Sequence, residues 1–595
     1  MLENLKNKIS KCDVISFDLF DTIVYRPFLK PTDLFLQIEI DYNFCGFKDE
    51  RIRAELFLRE TIVNAKKCVE ITLDQIYEEI NLSYRHLKEV EIQYEIKYCK
   101  PNPEMLELYR YALRLKKNIV ITSDMYLPSH VIKIILDNAG VQEFDYLILS
   151  CENLTSKADK SSYRHLKTLY PTVTSQNILH IGDNHYTDYL NARSELIHAI
   201  HYEGIHERFL VKTIISKEIL HSLTSSNDLE FSKYFGSLAI HYHEKAFEHE
   251  PIEKIAYEIV NPLVMSFNAN LIQYCKKNQI RKIFFASRDG FIFKESFDRF
   301  FNDSSYETEK LYVSRRVCTL PVMEFDSNTD FAMWAQGMEN SSIIDLWNNL
   351  EINDIHLKNE FIQLANNKNT LSFSDIVTIY HDFFTIHGHA IKRHYKKESS
   401  VFFNYLDSIG YFNKDIIVVE LGWSGSLQNA IHKLGSMFGK TQFPVWYYLG
   451  IRDDAHIRIK DAAEGFIFTQ TLNDSLQEII AGACDYIELL FSAPTTGVKK
   501  IDFINSTHCP VLFAENNNEL KRIHISQKIF DVIEDNWFFE LHSAMHGFSK
   551  TTLRELLKDY IYNIPETSEK LFSDIKVSAN FQNTNYSAIH TTNFR

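Results

Sequence analysis

The sequence predicts an α/β protein that contains two parallel sheets. Short apolar runs, rich in β-branched and aromatic residues, occur in the first third of the chain and again after residue 280. Runs of this kind are typical of buried parallel strands, and helical stretches lie between them. With 595 residues the chain is too long for a single core, so we expect three or four domains.

The composition is that of an ordinary globular protein, with 45% hydrophobic and 24% charged residues. A net charge of −15 argues against a nucleic-acid-binding surface, because phosphate backbones require basic patches. The nine cysteines form no C-x-x-C pair, which favours reduced thiols in a cytoplasmic protein. No run approaches about 18 apolar residues, so we expect no membrane span. Peripheral association with the inner face of the cytoplasmic membrane stays open.

The first apolar run, residues 14–17, ends abruptly in Asp18, and a second acid follows at Asp21. In an open parallel sheet, chemistry takes place just beyond the carboxyl ends of the strands. The sequence therefore predicts that Asp18 lies at a functional site. An aspartate that only caps the next turn is the alternative, and one strand taken alone leaves it open.

Three later stretches favour the functional interpretation, since each brings a chemically useful side chain to a strand end or close to one. In chain order these side chains are Ser123, Lys157, Asp183 and Asp188. An acid, a hydroxyl, a lysine and paired acids in this order resemble the four motifs of the haloacid dehalogenase-like (HAD) phosphohydrolase superfamily. The resemblance covers roughly the first third of the chain.

The resemblance implies a Mg²⁺-dependent phosphohydrolase with a Rossmann-like core. Asp18 would be the nucleophile that forms an aspartyl-phosphate. Mg²⁺ would be held by Asp18, the backbone carbonyl of Phe20 and Asp183, while Asp188 would hold the water shell of the metal. The phosphate would be bound by the two remaining motif residues, Ser123 and Lys157.

One position departs from the phosphatases of that superfamily. They usually carry a second aspartate two residues after the nucleophile as general acid and base, whereas this chain has Phe20 there and Asp21 one residue later. Members that lack the second aspartate include dehalogenases. Proton transfer would then fall to Asp21 or to water. The Phe-Asp-Thr form also resembles a subgroup associated with bacterial surface-polysaccharide synthesis.

The HAD-like domain is expected to span residues 1–205, with a helical cap at about residues 27–100. The sequence turns helical between the first and second motifs, which is where caps insert in the superfamily. A polar break at residues 223–228 favours a helical linker over residues 206–250. A C-terminal helical extension is expected over residues 501–595, and the sequence gives it no function.

A second α/β pattern occupies residues 251–500, with a helical insertion at about residues 327–410. One of its strands ends in the sequence Arg288-Asp289-Gly290, and another ends in Glu420, followed by a loop of small residues. Small residues let backbone N–H groups approach an anion, and the helix that follows adds the positive end of its dipole. The residues of this loop that we expect to bind substrate are Gly422, Ser424, Gly425 and Ser426.

The two loops are similar to those of type I phosphoribosyltransferases, where the first faces pyrophosphate and the second holds the 5-phosphate. That family usually shows two adjacent acids before the second loop, whereas here only Glu420 is present. An unrelated α/β domain with ordinary strand-to-helix turns is the alternative. Two phosphate-type loops in the right order favour the transferase.

Together the two halves predict a bifunctional enzyme of bacterial polysaccharide biosynthesis. It would transfer 5-phosphoribosyl from phosphoribosyl pyrophosphate to a glycan acceptor, free or lipid-linked, and then remove the 5-phosphate to leave ribofuranose. Other polysaccharide-synthesis enzymes would be partners, and this step rests on analogy. Two alternatives stay open: a HAD phosphatase whose C-terminal half only binds a glycan or partner, and a scaffold with both sites decayed.

Overall fold

The chain folds as two compact units, one formed by Met1–Thr213 and Leu220–Glu248, the other by Ile214–Ile219 and His249–Arg595. Each unit contains one parallel five-stranded sheet, which confirms the predicted α/β class. The computed structural model describes residues 2–63, 70–245, 250–302, 304–322, 338, 342–364, 371–452, 455, 463–469, 475–535, 547–564, 572, 576–578 and 586–588.

The first sheet has the strand order β5-β4-β1-β6-β7, and all its neighbours are parallel. A short antiparallel pair, β2 and β3, lies outside it. The strands of this unit are β1 (Val14–Phe17), β2 (Val24–Tyr25), β3 (Lys100–Pro101), β4 (Asn118–Ser123), β5 (Tyr146–Leu149), β6 (Ile178–Gly182) and β7 (His198–His201). Because β1 is central, its carboxyl end lies between the ends of β4 and β6.

Both faces of β1 are buried, as is typical of a parallel sheet. Ile15 and Phe17 belong to the large hydrophobic core of the unit. Val14 belongs to a smaller core on the other side of the strand, together with Val120 and Ile178. Alternation along the strand places Ser16 on the same face as Val14.

Helices surround this sheet on both faces. The α-helices are Leu2–Lys11, Asp33–Tyr42, Phe47–Leu58, Leu73–Glu79, Lys88–Tyr98, Pro103–Arg114, Ser129–Ala139, Ser150–Asn153, Ser161–Leu169, Asn191–Ser194, Ile205–Lys212 and Leu229–Glu244, with Lys217–Ser225 at the junction of the units. Shorter 3-10 and π segments are Arg59–Val63, Leu82–Leu87, Ser175–Asn177 and His185–Leu190. The described residues of the predicted cap are therefore largely helical.

The second sheet has the order β12-β11-β10-β8-β9 and is also parallel. Its strands are β8 (Lys282–Ala286), β9 (Glu307–Leu311), β10 (Ile416–Glu420), β11 (Val445–Gly450) and β12 (Ala463–Phe468). The remaining strands form two antiparallel pairs, β13 (Val498–Ile504) with β14 (Thr507–Leu512) and β15 (Lys576–Ser578) with β16 (Tyr586–Ala588).

The two edge strands of the second sheet correct the sequence interpretation. The sequence of residues 310–316, which ends in two arginines, favours a short strand. In the structure β9 ends at Leu311, and a helix begins at Arg315 because the Ser314 side chain caps it by accepting from the Val317 N–H. The sequence also favours a helix around residues 476–491, where the helix Ser475–Phe491 lies, but the strand β12 before it was not predicted. β9 is partly exposed and mostly charged, so it lacks the continuous apolar run that marks a central strand.

The helices of the second unit are Pro251–Ile255, Ala256–Val260, Asn261–Asn278, Phe291–Phe300, Arg315–Thr319, Leu320–Val322, Ile343–Asn349, Ile355–Leu364, Phe373–Ser408, Ser426–Met437, Ser475–Phe491, Asn517–Ile533 and Lys550–Tyr562. The segment predicted as a helical insertion has a hydrophobic core of its own, which includes Trp347, Phe361 and Phe383. Within the part of the chain that is described, no helix combines the length and apolar character needed to cross a membrane.

We predict that Gly236→Ala destabilises the first unit. Gly236 lies in the helix Leu229–Glu244, and a Cβ atom there would stand 2.6 Å from the backbone nitrogen of Phe28. Overpacking of this kind costs about 1–3 kcal/mol, so the melting temperature should fall. Ser237→Ala in the same helix is the control and should leave it unchanged. Equal melting temperatures for Gly236→Ala and wild type would contradict the close packing described here.

Candidate active site

The predicted HAD-type residues meet at the carboxyl edge of the first sheet. Phe17 pairs with Ile121 of β4 and Ile181 of β6, so Asp18 is level with the next residue of each neighbour. Ser123 and Asp183 lie one residue further along their chains. The register therefore brings side chains that are more than 100 residues apart in sequence to one end of the sheet.

Asp18 and Lys157 form a buried ion pair at this edge. The Lys157 Nζ donates to Asp18 Oδ1 at 2.5 Å, and Asp18 is 5% exposed. Burial raises the pKa of Asp18, and the charges of Asp188 and Asp183 raise it further, while Lys157 opposes them. Burial acts to lower the pKa of Lys157, but Asp18 and Asp188 hold it well above its usual value. The lysine is therefore kept charged beside the carboxylate.

Three carboxylates converge on the same point. One oxygen each of Asp18, Asp183 and Asp188 lies within 4.8 Å of the others. The Thr22 hydroxyl contacts Asp18 Oδ2 at 3.2 Å and Asp183 Oδ1 at 3.5 Å. Burial and the charges of Asp21 and Asp188, against Lys157, raise the pKa of Asp183 to about 7. Oxygen donors with excess negative charge are the ligands that Mg²⁺ prefers, so this cluster could hold a divalent cation.

Asp188 makes hydrogen bonds through both of its oxygens. Its Oδ1 accepts from Lys157 Nζ at 2.6 Å and lies 3.1 Å from His180 Nε2, and its Oδ2 accepts from the Asn184 N–H at 3.0 Å. Burial acts to raise the pKa of Asp188, but Lys157 and His180 outweigh it and hold the pKa below its usual range. A Cβ atom on Gly182 would overlap the Asp188 carboxyl group, so glycine is required there. Asp188 is thus an ionised and fixed acceptor.

A polar layer beneath this site, formed by Ser16, Thr122 and His180, was not predicted from the sequence. Ser16 Oγ lies 3.0 Å from Thr122 Oγ1 and 2.9 Å from His180 Nδ1, and none of these three side chains is exposed. The three residues lie on the three central strands β1, β4 and β6. The signal in the sequence was one polar residue inside each otherwise apolar run. Strand alternation places these polar residues on the face of the sheet that carries Val14.

The turn after β1 carries Phe20 and Asp21, the two positions that differ from the expected phosphatase motif. Asp21 has a left-handed backbone, with φ of 57°. Arg26 lies over the Phe20 ring at 4.7 Å, and its Nη1 donates to both carboxylate oxygens of Glu95 at 3.0 and 3.2 Å. Among the described residues, neither the Asp21 carboxylate nor the Ser123 hydroxyl makes a hydrogen bond or ion pair. Both groups are therefore available to a ligand.

In the second unit, charged side chains collect at the carboxyl edge of the second sheet. Val419 of β10 pairs with Phe285 of β8, so Glu420 is level with the end of β8, and Arg288 and Asp289 follow it. Burial raises the pKa of Glu420 well above its usual range, and Asp289 and Glu488 raise it further, against Arg315. The predicted residues from the two strands therefore lie within electrostatic reach of one another.

Glu488 is a member of this group that the sequence interpretation missed. It lies on the helix Ser475–Phe491. Burial and Asp289 raise its pKa to about 7, against Arg315 and Arg288. The backbone bond from the Ala493 N–H to the Arg288 carbonyl, 2.9 Å long, holds the end of this helix segment against the loop after β8. An acid within an apolar helix was the only signal in the sequence.

The loop of small residues after β10 adopts the geometry that its glycines allow. A Cβ atom on Gly422 would stand 2.6 Å from the Gly450 carbonyl oxygen. Gly425 has a left-handed backbone, with φ of 66°, and precedes the helix Ser426–Met437. In the preceding loop, Gly290 turns the chain tightly, since a Cβ atom there would stand 2.6 Å from the Ala286 carbonyl oxygen. Both loops thus open onto helices at one sheet edge, with Ser424 half-buried between the two glycines.

Comparison with known proteins gives similarity to solved structures alone. No protein-family model and no curated protein matches the chain. An L-2-haloacid dehalogenase from Xanthobacter autotrophicus is 14% identical over 36% of this chain and 83% of that one, with a TM-score of 0.26. The Bacillus subtilis protein YfnB, described as a HAD-hydrolase bound to magnesium, is 15% identical over 32% and 86%, with a TM-score of 0.25.

A Haemophilus somnus protein described as a predicted phosphoglycolate phosphatase is 13% identical over 32% of this chain and 85% of that one, with a TM-score of 0.23. These matches lie in the N-terminal part of the chain.

Proposed function

We propose that the first unit is a phosphohydrolase that works through an aspartyl-phosphate on Asp18. The supporting observation is the 2.5 Å ion pair between Asp18 and Lys157 within a cluster of three carboxylates. A buried carboxylate is a usable nucleophile when a fixed cation orients it and opposes the effect of burial on its ionisation. The carboxyl edge of a parallel sheet is also where substrates of α/β proteins bind.

The donor set of the cluster supports Mg²⁺ as the cofactor. Carboxylate oxygens of Asp18 and Asp183, with the backbone carbonyl of Phe20, would hold the ion beside Asp188. When bound, Mg²⁺ would offset the negative charge of the phosphate and so let an anionic nucleophile approach it. An excess of carboxylates over cations supports a substrate that arrives with a metal ion, and so favours a phosphoester over a haloacid.

The reaction would proceed in two displacements. An Asp18 oxygen attacks phosphorus, the bond from phosphorus to the leaving oxygen breaks, and the leaving alkoxide takes a proton. Water then attacks the phosphorus of the aspartyl-phosphate, which releases inorganic phosphate and restores Asp18. Ser123 would donate to a phosphoryl oxygen and Lys157 would neutralise developing charge. We assign proton transfer to Asp21, whose carboxylate makes no hydrogen bond or ion pair with a described residue, with water as the alternative.

We predict that Asp18→Asn abolishes hydrolysis of p-nitrophenyl phosphate. The change keeps the shape of the side chain but removes the anionic nucleophile, so the rate should fall by at least about 10³-fold. Asp13→Asn is the matched control, because Asp13 directly precedes β1 at its opposite, amino end. Phosphate release at the wild-type rate by purified Asp18→Asn would rule out the assignment. Hydrolysis of a 2-haloacid by wild type, without any phosphatase activity, would replace it with dehalogenase chemistry.

The raised pKa of Asp183 makes the stability of the metal-free protein depend on pH. In the folded, metal-free unit this carboxyl group stays protonated up to a pH of about 7, whereas in the unfolded chain it ionises near a pH of about 4. The folded state therefore binds the extra proton, and metal-free protein should lose stability as the pH rises through this window.

Asp183→Asn cannot ionise, so at pH 8 without metal it should melt above wild type. A shift of about 2–4 °C corresponds to 1 kcal/mol in a unit of this size. Added Mg²⁺ should raise the melting temperature of wild type but not of the variant. Differential scanning calorimetry with and without chelator measures both effects. Equal Mg²⁺ shifts in the two proteins would place the metal elsewhere.

We also propose that the second unit transfers 5-phosphoribosyl from phosphoribosyl pyrophosphate to a glycan acceptor in the cytoplasm. In support, the loop after Glu420 and the loop at Arg288 open onto helices at one sheet edge, where backbone N–H groups suit an anionic donor. The Glu420 carboxylate is 6% exposed and makes no hydrogen bond or ion pair with a described residue. A buried carboxylate without partners favours a site for ribose hydroxyls.

The two activities are chemically complementary. Phosphoribosyl transfer leaves a 5-phosphate on its product, and a phosphohydrolase in the same chain would remove it to leave ribofuranose on a bacterial surface polysaccharide. Removal of the phosphate would also draw a reversible transfer forward. A second unit that only binds a glycan or a partner protein is the alternative.

We predict that Glu420→Gln weakens transfer and leaves hydrolysis of p-nitrophenyl phosphate unchanged. Loss of one charge-assisted hydrogen bond costs about 1.5–3 kcal/mol, or about ten- to a hundred-fold in affinity or rate. Mass spectrometry of the product made from phosphoribosyl pyrophosphate and candidate glycans measures transfer. Glu464→Gln, an exposed acid on β12, is the matched control. Wild type that binds no phosphoribosyl pyrophosphate in calorimetry would favour the non-catalytic alternative.

A further inference from the structure

A continuous hydrogen-bonded chain crosses the three central strands beneath the Asp18 site. From Thr122 it passes to Ser16 at 3.0 Å, from Ser16 to His180 Nδ1 at 2.9 Å, and from His180 Nε2 to Asp188 Oδ1 at 3.1 Å. Lys157 extends it from Asp188, at 2.6 Å, to Asp18, at 2.5 Å. The chain thus connects the interior of the sheet to the proposed nucleophile.

The chemistry of these groups fixes which of them donates and which accepts in each hydrogen bond. An ionised Asp188 only accepts, so His180 Nε2 carries a proton and donates it. A neutral imidazole that donates through Nε2 accepts through Nδ1, and the Ser16 hydroxyl lies 2.9 Å from that nitrogen. Ser16 therefore donates to Nδ1, and Thr122 donates to Ser16. Each hydroxyl and each ring nitrogen has a defined role.

We infer that His180 is a positioning residue of the phosphohydrolase site, which orients the Asp188 carboxylate so that Lys157 is held against Asp18. The inference rests on the function proposed for the first unit. His180 itself is fixed from two sides, by the Ser16 hydroxyl and by the ring of Tyr163, which packs edge-on at 5.2 Å. Without His180, the Asp188 carboxylate is held only by Lys157 at Oδ1 and by the Asn184 N–H at Oδ2 among its described donors, so its orientation is less restricted.

Three substitutions at His180 separate positioning from packing. His180→Gln keeps an N–H where Nε2 stands and should retain the bond to Asp188. His180→Asn keeps a polar group where Nδ1 stands and should retain only the contact with Ser16. His180→Leu keeps the volume of the side chain but removes both polar contacts. For a phosphomonoester, kcat should fall about ten- to a hundred-fold in the Leu and Asn variants, with KM little changed, and recover in the Gln variant.

Tyr109→Phe is the control, because it removes a hydroxyl that bonds the Glu143 backbone away from the site and should leave kcat unchanged. A purely structural role would instead lower the melting temperature of all three His180 variants without a separation of kcat from KM. Equal kcat values in the Gln, Asn and Leu variants would overturn the inference.

Crystal structures of wild type and His180→Leu provide a readout that does not depend on activity. The distance from Lys157 Nζ to Asp18 Oδ1 should lengthen in the variant, with a rotated Asp188 carboxylate. An unchanged contact and an unchanged carboxylate in His180→Leu would overturn the positioning role. A folded wild type without phosphatase activity would count against the proposed function, and the distances would still decide the role of His180.

Discussion

The contact on which the first unit depends is Lys157 between two carboxylates. Its single ammonium group touches Asp18 and Asp188 at once, and both acids are almost fully buried. Charges removed from water in this way are tolerable only when each has a partner in good geometry. The strand register, the glycine at position 182 and the polar layer under the sheet all serve to bring these three groups together.

The central strands of both units and the acids at their ends could be predicted, because each is visible as a pattern in a short stretch of sequence. Strands such as β1 and β10 are continuous apolar runs, and the acids that end them mark the site edge. The edge strand β9 is partly exposed and mostly charged, so its residues give no such run. Residues that act through distant partners leave still less trace: Ser16 and His180 are 164 positions apart, and only the fold makes them neighbours.

In the second unit, the buried carboxylates are not neutralised by a shared lysine. It gathers acids and arginines around Glu420 and Glu488, where the pKa of each acid is raised by burial and by its acidic neighbours. A group of this kind changes its charge state easily when a cation or a hydroxyl-bearing ligand arrives. Because the protein is acidic overall, the positive potential that an anion would need here comes from backbone N–H groups at helix N-termini and from a few arginines.

The buried pair between Arg26 and Glu95 has an evolutionary consequence. Arg26 lies over the ring of Phe20, two residues from Asp18, while Glu95 belongs to the helix Lys88–Tyr98, within the segment predicted to be the cap. Removal of one partner of a buried ion pair costs about 3–5 kcal/mol. Sequence change in this segment must therefore keep a carboxylate at position 95 or replace both partners together, so the helix Lys88–Tyr98 and the turn after β1 cannot vary independently.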